Sequence, residues 1–457
     1  MPHSLQADLL VTERPGAAVI RAAFDQLSKD GATWCVVGQT DTLPDHSVSD
    51  IDIVLAPEDA ARSTALVLSV CRRIGGRIVQ CFRHETAAYY FVIALPSETE
   101  QFSYLMLDCC GDYIRGGCFL LGAREVLDGR RPALDEHGKD RGFFVASAAT
   151  EFIYYLLKKI DKKSLSDDQA LHLSHVFSEA PHRARHEISR FFSARSERQL
   201  VHAATSGDWA EVQQNLTGLQ ADLHGVLRWS RLTGWIKDTG RIASRIVRPT
   251  GLQIVILGPD GCGKSSVAED LVPRLAPMFR RIRRFHLFPS VLRSDSHSAP
   301  VEEPHGMPPR STPASIVKIG YWWTLYTVGW LTQLFPGKCR STLLMFDRYY
   351  HDILVDPRRY RFDGPMWLAR LIGGLIPGPD LWIVLDAPAD VLQTRKQEVS
   401  FEESSRQRKA YERFARQCKN AVVIDASLPL DEVVSEALEA VVDYMAERTQ
   451  ERLNTRR

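Results

Sequence analysis

Apolar and polar positions along the chain fall into three stretches with different periods. Between about residues 15 and 130, a 3.6-residue repeat over Ala17–Lys29 predicts a helix. Short β-like runs follow at Thr33–Val37, Ile51–Leu55, Arg77–Phe82, Ala88–Leu95 and Tyr104–Leu107, which predicts a small α/β unit. From about 145 to 245 the strand-like runs stop. Apolar residues recur there at three- and four-residue spacing, as in Glu151–Lys159 and Gln213–Trp229, so this middle region is read as helical. From Gly251 onward, β-like runs at Ile254–Leu257, Leu343–Phe346, Leu381–Leu385 and Val422–Ile424 alternate with helical runs at Ser265–Leu275, Phe401–Gln417 and Leu430–Arg448. Such alternation predicts an α/β fold, a parallel sheet with helices on both faces. The expected domains are 1–140, 141–248 and 249–457.

Three segments do not fit a simple pattern. Ile316–Phe335 is apolar and aromatic, yet Lys318, Gln333 and several hydroxyls interrupt it. It is read as a helix buried in the fold or in a homodimer interface rather than as a membrane span, with peripheral membrane contact left open. Pro289–Pro313, rich in Pro, Ser and His, reads as a long mobile loop of the kind that forms lids. The basic run from Lys158 to Lys163 reads as a solvated helix face.

Composition narrows the class. A chain of 457 residues with 44% hydrophobic and 25% charged residues is globular and long enough for roughly two to four domains. Its formal net charge of +1 provides no global field, so no nucleic-acid partner is expected and any basic site must be local. The nine cysteines include no CxxC pair, which argues against a zinc site or a disulfide framework and for a reducing, cytoplasmic setting. The opening MPHSLQADLLVTERPG lacks the basic and long apolar segments of a secretory signal.

The strongest chemical signal is GPDGCGKSS, Gly258 to Ser266, placed between an apolar strand and a helix. Gly258, Gly261 and Gly263 allow a turn whose backbone N–H groups point inward, with Asp260 and Cys262 between them, and the helix start adds its dipole. Lys264 brings a cation to the β and γ phosphates of ATP, and Ser265 offers a hydroxyl to Mg²⁺, with Ser266 beside it.

With FDRYYHD (Phe346–Asp352), LDAPADVLQTRK (Leu385–Lys396), RQRKAY (Arg406–Tyr411) and VVIDASLPLDEV (Val422–Val433) following in order, residues 250 to 445 resemble the thymidylate kinase family. The resemblance implies that Asp260 lies near the acceptor, Asp347 faces the Mg²⁺ region and Arg348 holds the acceptor phosphate. It also implies that Arg395, Arg406 and Arg408 are lid arginines around the transferring phosphoryl group. Two features depart from the family: only KQEVS separates Arg395 from Phe401, and RRIRRFHLFPSVLR lacks an Arg-Glu-Pro stretch. The acceptor therefore stays open between a nucleoside monophosphate and a sugar-, glycan- or lipid-linked group, with His286 and Arg293 as candidate contacts. Tyr349 and Tyr350 either stack on a base or fill core.

A second constellation lies in the front region. In WCVVGQTDTLPDHSVSDIDIVL a strand ends at Gly38, a polar loop follows, and Asp50 and Asp52 point to one face of the next strand, about 7 Å apart at Cα. Asp108 closes a further β-like run. Three such carboxylates can hold Mg²⁺ for attack on an α-phosphate. Residues 15 to 130 thus resemble the polymerase-beta-type nucleotidyltransferases, although Gln39 and Thr40 replace the small residues usual after Gly38. The expected activity is ATP- and Mg²⁺-dependent phosphotransfer. The alternatives are nucleotidyl transfer by Asp50, Asp52 and Asp108, and a nucleotide-gated scaffold without turnover.

Overall fold

The computed structural model of the chain describes residues 14–47, 50–85, 87–115, 118–226, 231–289, 308–395 and 400–454. They divide into two units: Glu13–Ala243 with Thr449–Arg457, and Ser244–Arg448.

In the first unit the strands are β1 (Trp34–Val37), β2 (Ile51–Leu55), β3 (Arg77–Glu85), β4 (Ala88–Ser97), β5 (Gln101–Cys110), β6 (Tyr113–Arg115), β7 (Cys118–Leu121), β8 (Arg131–Leu134) and β9 (Asp140–Val145). Seven of them form one sheet in the order β3-β4-β5-β2-β1-β9-β8, and β6 and β7 form a separate ribbon. Strict alternation sends β1 and β2 side chains to two different cores. Trp34, Val36, Ile51, Ile53 and Leu55 pack with the Ala17–Lys29 and Ser63–Ile74 helices. Cys35, Val37 and Val54 join a cluster that continues through Phe152, Leu156, Ile188 and Leu219 into the helical region. That region is all helix from Ala148 to Val226, as its periodicity predicts. Ser147 caps the Ala148–Lys162 helix by accepting from the Thr150 amide, and Ser166 and Gln169 close a capping box on the next helix. The strands β8, at the sheet edge, and β9, beside it, escape the apolar pattern because each buries a single residue, Ala133 and Phe143.

In the second unit β10 (Leu252–Leu257), β11 (Arg281–Phe285), β12 (Thr342–Phe346), β13 (Leu381–Asp386) and β14 (Ala421–Asp425) form a sheet in the order β11-β12-β10-β13-β14. All its pairings are parallel. Every residue of the central β10 is buried, so both sheet faces are covered there. Val255 and Leu257 face an aromatic core containing Tyr326, Tyr349, Tyr350 and Trp382. The edge strand β11 reads RIRRF, and its exposed arginines mask it from an apolar search.

Of two segments read from the pattern, the basic run needs correction. The aromatic segment forms a helix over Thr312–Gly329 that widens into a π turn at Trp330–Leu334. Ser315, Ile319, Trp322 and Tyr326 are buried, but Val317, Tyr321, Val328 and Leu331 are exposed, so within the chain it is buried on one face only. No helix among the described residues is long and apolar enough to cross a membrane. Lys158, read as part of a solvated face, is instead largely enclosed in an ion pair. The reading of Pro289–Pro313 as a mobile loop falls on residues 290–307, outside the described residues, as does Arg293.

Candidate functional site

The turn after β10 is built around one glycine that no other residue can replace. Gly258 has φ of +151°, and a Cβ there would lie 2.4 Å from the Leu385 carbonyl oxygen at the end of β13. Gly261 and Gly263 are left-handed at +84° and +88°, and the space beside Gly263 is open. The chain then enters the Lys264–Leu275 helix directly, so the helix's first amides lie at the turn. Lys264 lies across the turn: its Nζ donates to the carbonyls of Gly258 and Pro259, 2.8 Å each, and stands 3.8 Å from the Asp260 carboxylate. Ser265 and Ser266 are exposed on the first helical turn, and the Cys262 thiol, buried beneath the loop, has its pKa pushed up by that burial.

Opposite the turn, the residues after β12 bring the other candidates in. Their positions are fixed by backbone pairing that continues past the strand: the Asp347 amide donates to Phe285 at 3.0 Å and the Arg348 amide to His286 at 2.9 Å. Arg348 is buried between two carboxylates. Its guanidinium pairs with Asp260 and, at 2.6 Å, with Asp352, while Asp352 also accepts from the Tyr360 and Tyr411 hydroxyls. Burial opposes the charge on Arg348, yet Asp352, Tyr360 and Asp260 outweigh it and hold its pKa well above the ordinary value. Asp352 is likewise disfavoured as an anion by burial, but Arg348 and the two hydroxyls pull its pKa down. A second guanidinium, Arg359, pairs with the other Asp260 oxygen.

Asp347 differs from Asp260. Burial raises its pKa against the opposing pull of Arg284, His286 and Lys264, and among the described residues its Oδ1 has no hydrogen-bond partner. An orphaned carboxylate oxygen beside Lys264 fits a hydrated Mg²⁺, so the residues present suit the ion together with Ser265. His286, half-buried beside Arg348, has its pKa lowered first by burial and then by that cation.

The remaining arginines are spread out. Arg408 grips Asp386 with two bonds of 2.8 and 2.7 Å, at the end of β13 where Leu385 abuts Gly258. Arg406 pairs with Glu403 at 2.6 Å and reaches the Val355 carbonyl, while Arg395 donates to the Ala426 carbonyl at 2.6 Å. Tyr349 and Tyr350 are core residues. Both are fully buried, with their hydroxyls donating to the Pro377 and Ala369 carbonyls.

In the other unit, Asp52 of β2 sits in register with Asp108 of β5, which lies inside that strand rather than at its end. Asp50, Asp52 and Asp108 offer ligand atoms within 4.8 Å of one another. Lys158 from the Ala148–Lys162 helix already occupies part of this cluster, its Nζ 2.5 Å from both Asp52 oxygens. Burial pushes the Asp52 carboxyl up to about 7 against the pull of Lys158, and the three neighbouring acids keep Lys158 charged. Gly38, at φ +97°, passes beside Asp52 and donates its amide to buried Glu151.

Arg359, Asp352 and Lys158 were not singled out by motif. Asp352 ends the FDRYYHD string, so the acid two residues beyond the tyrosine pair was a signal within reach.

The sheet order and the strand–turn–helix together are those of a P-loop α/β fold. No protein-family model matches the chain, nor does any curated protein. Among solved structures, thymidylate kinase from Candida albicans is 16% identical over 43% of this chain and 93% of that chain, at a TM-score of 0.31. So loose a superposition leaves the sheet order and the turn geometry as the grounds for the fold.

Proposed function

We propose that the chain is a phosphotransferase that uses ATP with Mg²⁺ and passes the γ-phosphoryl group to an anionic acceptor. The reading is carried by one observation: Lys264 lies across a glycine turn at a helix start while two guanidiniums, Arg348 and Arg359, converge on Asp260 beside it. Bound Mg²⁺ supplies charge neutralisation on the phosphates, with Ser265 and Asp347 to hold it. Lys264 exchanges its carbonyl partners for phosphate oxygens. Arg348 and Arg359 hold the acceptor's anionic group where Asp260 now lies, and Asp352 with Tyr360 and Tyr411 keeps Arg348 oriented. The acceptor is a nucleoside monophosphate or a sugar-, glycan- or lipid-linked molecule bearing an anionic group.

The test is radiolabelled ATP offered with panels of nucleoside monophosphates, sugar phosphates and lipid extracts. Lys264→Ala should lower acceptor-stimulated ADP release a hundredfold or more, about 3 kcal/mol of lost stabilisation. ADP release that survives the substitution sinks the reading.

A second reading is favoured by the convergence of Asp50, Asp52 and Asp108: nucleotidyl transfer in the front unit, releasing pyrophosphate. Pyrophosphate release indifferent to Asp52→Asn would remove it.

A further inference from the structure

Where the Thr312–Gly329 helix begins, two short stretches of chain, 308–312 and 360–363, are tied together. The Arg310 amide donates to the Arg361 carbonyl at 3.1 Å, Arg361 Nε donates to the Pro308 carbonyl at 2.9 Å, and the Thr312 hydroxyl donates to the Asp363 carbonyl at 3.1 Å. The Asp363 amide in turn donates to the hydroxyl of fully buried Ser315, also at 3.1 Å. Beside this frame lies a hollow of about 450 Å³, lined by Arg310, Pro313, Ala314, Val317, Lys318 and Tyr321. Ligand clefts run from roughly 300 to 1,000 Å³, so the size suits a small molecule.

The charge of the hollow is one-sided. Lys318 is half-buried, with its Nζ donating to the Tyr360 carbonyl and lying 4.9 Å over the Trp322 ring. Burial first, then the neighbouring Arg310 and Arg361 guanidiniums, lower its pKa to about 8. No acid lines the hollow, and among the described residues neither Arg310 nor Lys318 has a carboxylate partner. Elsewhere in the same unit Lys338, Arg348, Arg359 and Arg408 each hold a carboxylate. Cations gathered without an acid attract an anion. The remaining walls are apolar: Pro313, Ala314, Val317 and the Tyr321 ring, with Val317 71% and Tyr321 57% exposed. A bare anion would leave those walls in water, and a neutral hydrocarbon would leave the cations crowded; a ligand that carries both parts relieves both. We propose that the hollow binds an anionic amphiphile, a phosphate or carboxylate joined to a short apolar body, with Arg310 and Lys318 at the anion and Val317 and Tyr321 along the body. None of these residues belongs to the glycine-turn site, so the inference stands whether or not the phosphotransferase reading holds.

The test is calorimetry on the full chain with monomeric octyl phosphate as the probe, beside inorganic phosphate, which lacks the tail, and octyl glucoside, which lacks the charge. Octyl phosphate should bind at least about tenfold more tightly than either. Lys318→Met, Arg310→Gln and Val317→Asp should each weaken it by about fivefold or more with the thermal melt unchanged. Arg310 and Val317 are exposed, so those two variants carry the test if Lys318→Met melts early. No binding of octyl phosphate overturns the proposal, as does binding indifferent to Arg310→Gln and Val317→Asp. Inorganic phosphate binding equally well would make this a plain anion site, and octyl glucoside binding equally well a plain apolar one; either result overturns it too. So does capture by phosphatidylcholine–phosphatidylglycerol vesicles without binding of the monomeric probe, which gives the face to a membrane.

Discussion

The two candidate sites are near opposites in charge although both are built from buried ion pairs. In the front unit Asp50, Asp52 and Asp108 gather at one place, and Lys158 pairs with Asp52 there. At the glycine turn Asp260 is met by three cations, Lys264, Arg348 and Arg359. An excess of buried carboxylate attracts a divalent cation, and an excess of guanidinium attracts phosphate. In each case the minority ion, Lys158 or Asp260, occupies a place that a ligand of its own sign can take. The ion pairs therefore indicate the sign of the ligand to which each site is suited.

Breaking the second site from beneath should have the largest effect. Asp352→Ala strips the deeply buried Arg348 of its innermost partner and should cost about 3–5 kcal/mol of stability in chemical denaturation. A loss below about 1 kcal/mol would mean that Arg348 relaxes freely and that the site is not preorganised. Next comes pH. His351 is packed against Tyr349, Trp382 and Phe414, and burial lowers its pKa from 6.5 to about 4. The unfolded chain then binds the extra proton first, so this contribution is complete above pH 6.5 and disappears as pH falls toward 4, on the order of 3 kcal/mol. His351→Phe should flatten that acid limb in melts taken across the range.

The front site is sharpened by Lys158→Met, which removes the resident cation. Mn²⁺ should then bind the triad about tenfold more tightly, ~1.4 kcal/mol, by calorimetry or electron paramagnetic resonance. Unchanged or weaker binding would mean that Lys158 is a partner of the ligand rather than its stand-in. The smallest effect is reserved for Arg408→Ala. Its pair with Asp386 is about a third exposed, so stability should change by about 1 kcal/mol or less. Any large effect of that variant would have to appear in turnover.

What was legible in the sequence was what neighbouring residues decide. The glycine turn occupies nine consecutive positions, and strand and helix periods flank it, so its seat at the end of β10 could be read directly. Asp50 and Asp52 share a strand face for the same reason. Partners brought from afar could not be read. Lys158 reaches Asp52 across 106 positions and Arg359 reaches Asp260 across 99; the basic run around Lys158 pointed to solvent rather than to Asp52, and Arg359 belongs to no motif. The tyrosines after Arg348 were ambiguous because an aromatic suits a core and a base equally well. Only the carbonyls that receive their hydroxyls decide for core. The strand β11 was missed because its outer side chains are charged, which is how an edge strand avoids pairing with strangers.

That same edge strand sets the alignment of the chemistry. Asp347 and Arg348 hang from the carbonyls of Phe285 and His286, so the slide of β11 along β12 fixes where both groups stand. A slip of one residue would turn every side chain of β11 to the opposite face and carry those two anchoring carbonyls away. The outermost ribbon of the sheet thus works as a ruler for its centre, and a proline placed in it would displace Asp347 and Arg348 without replacing either.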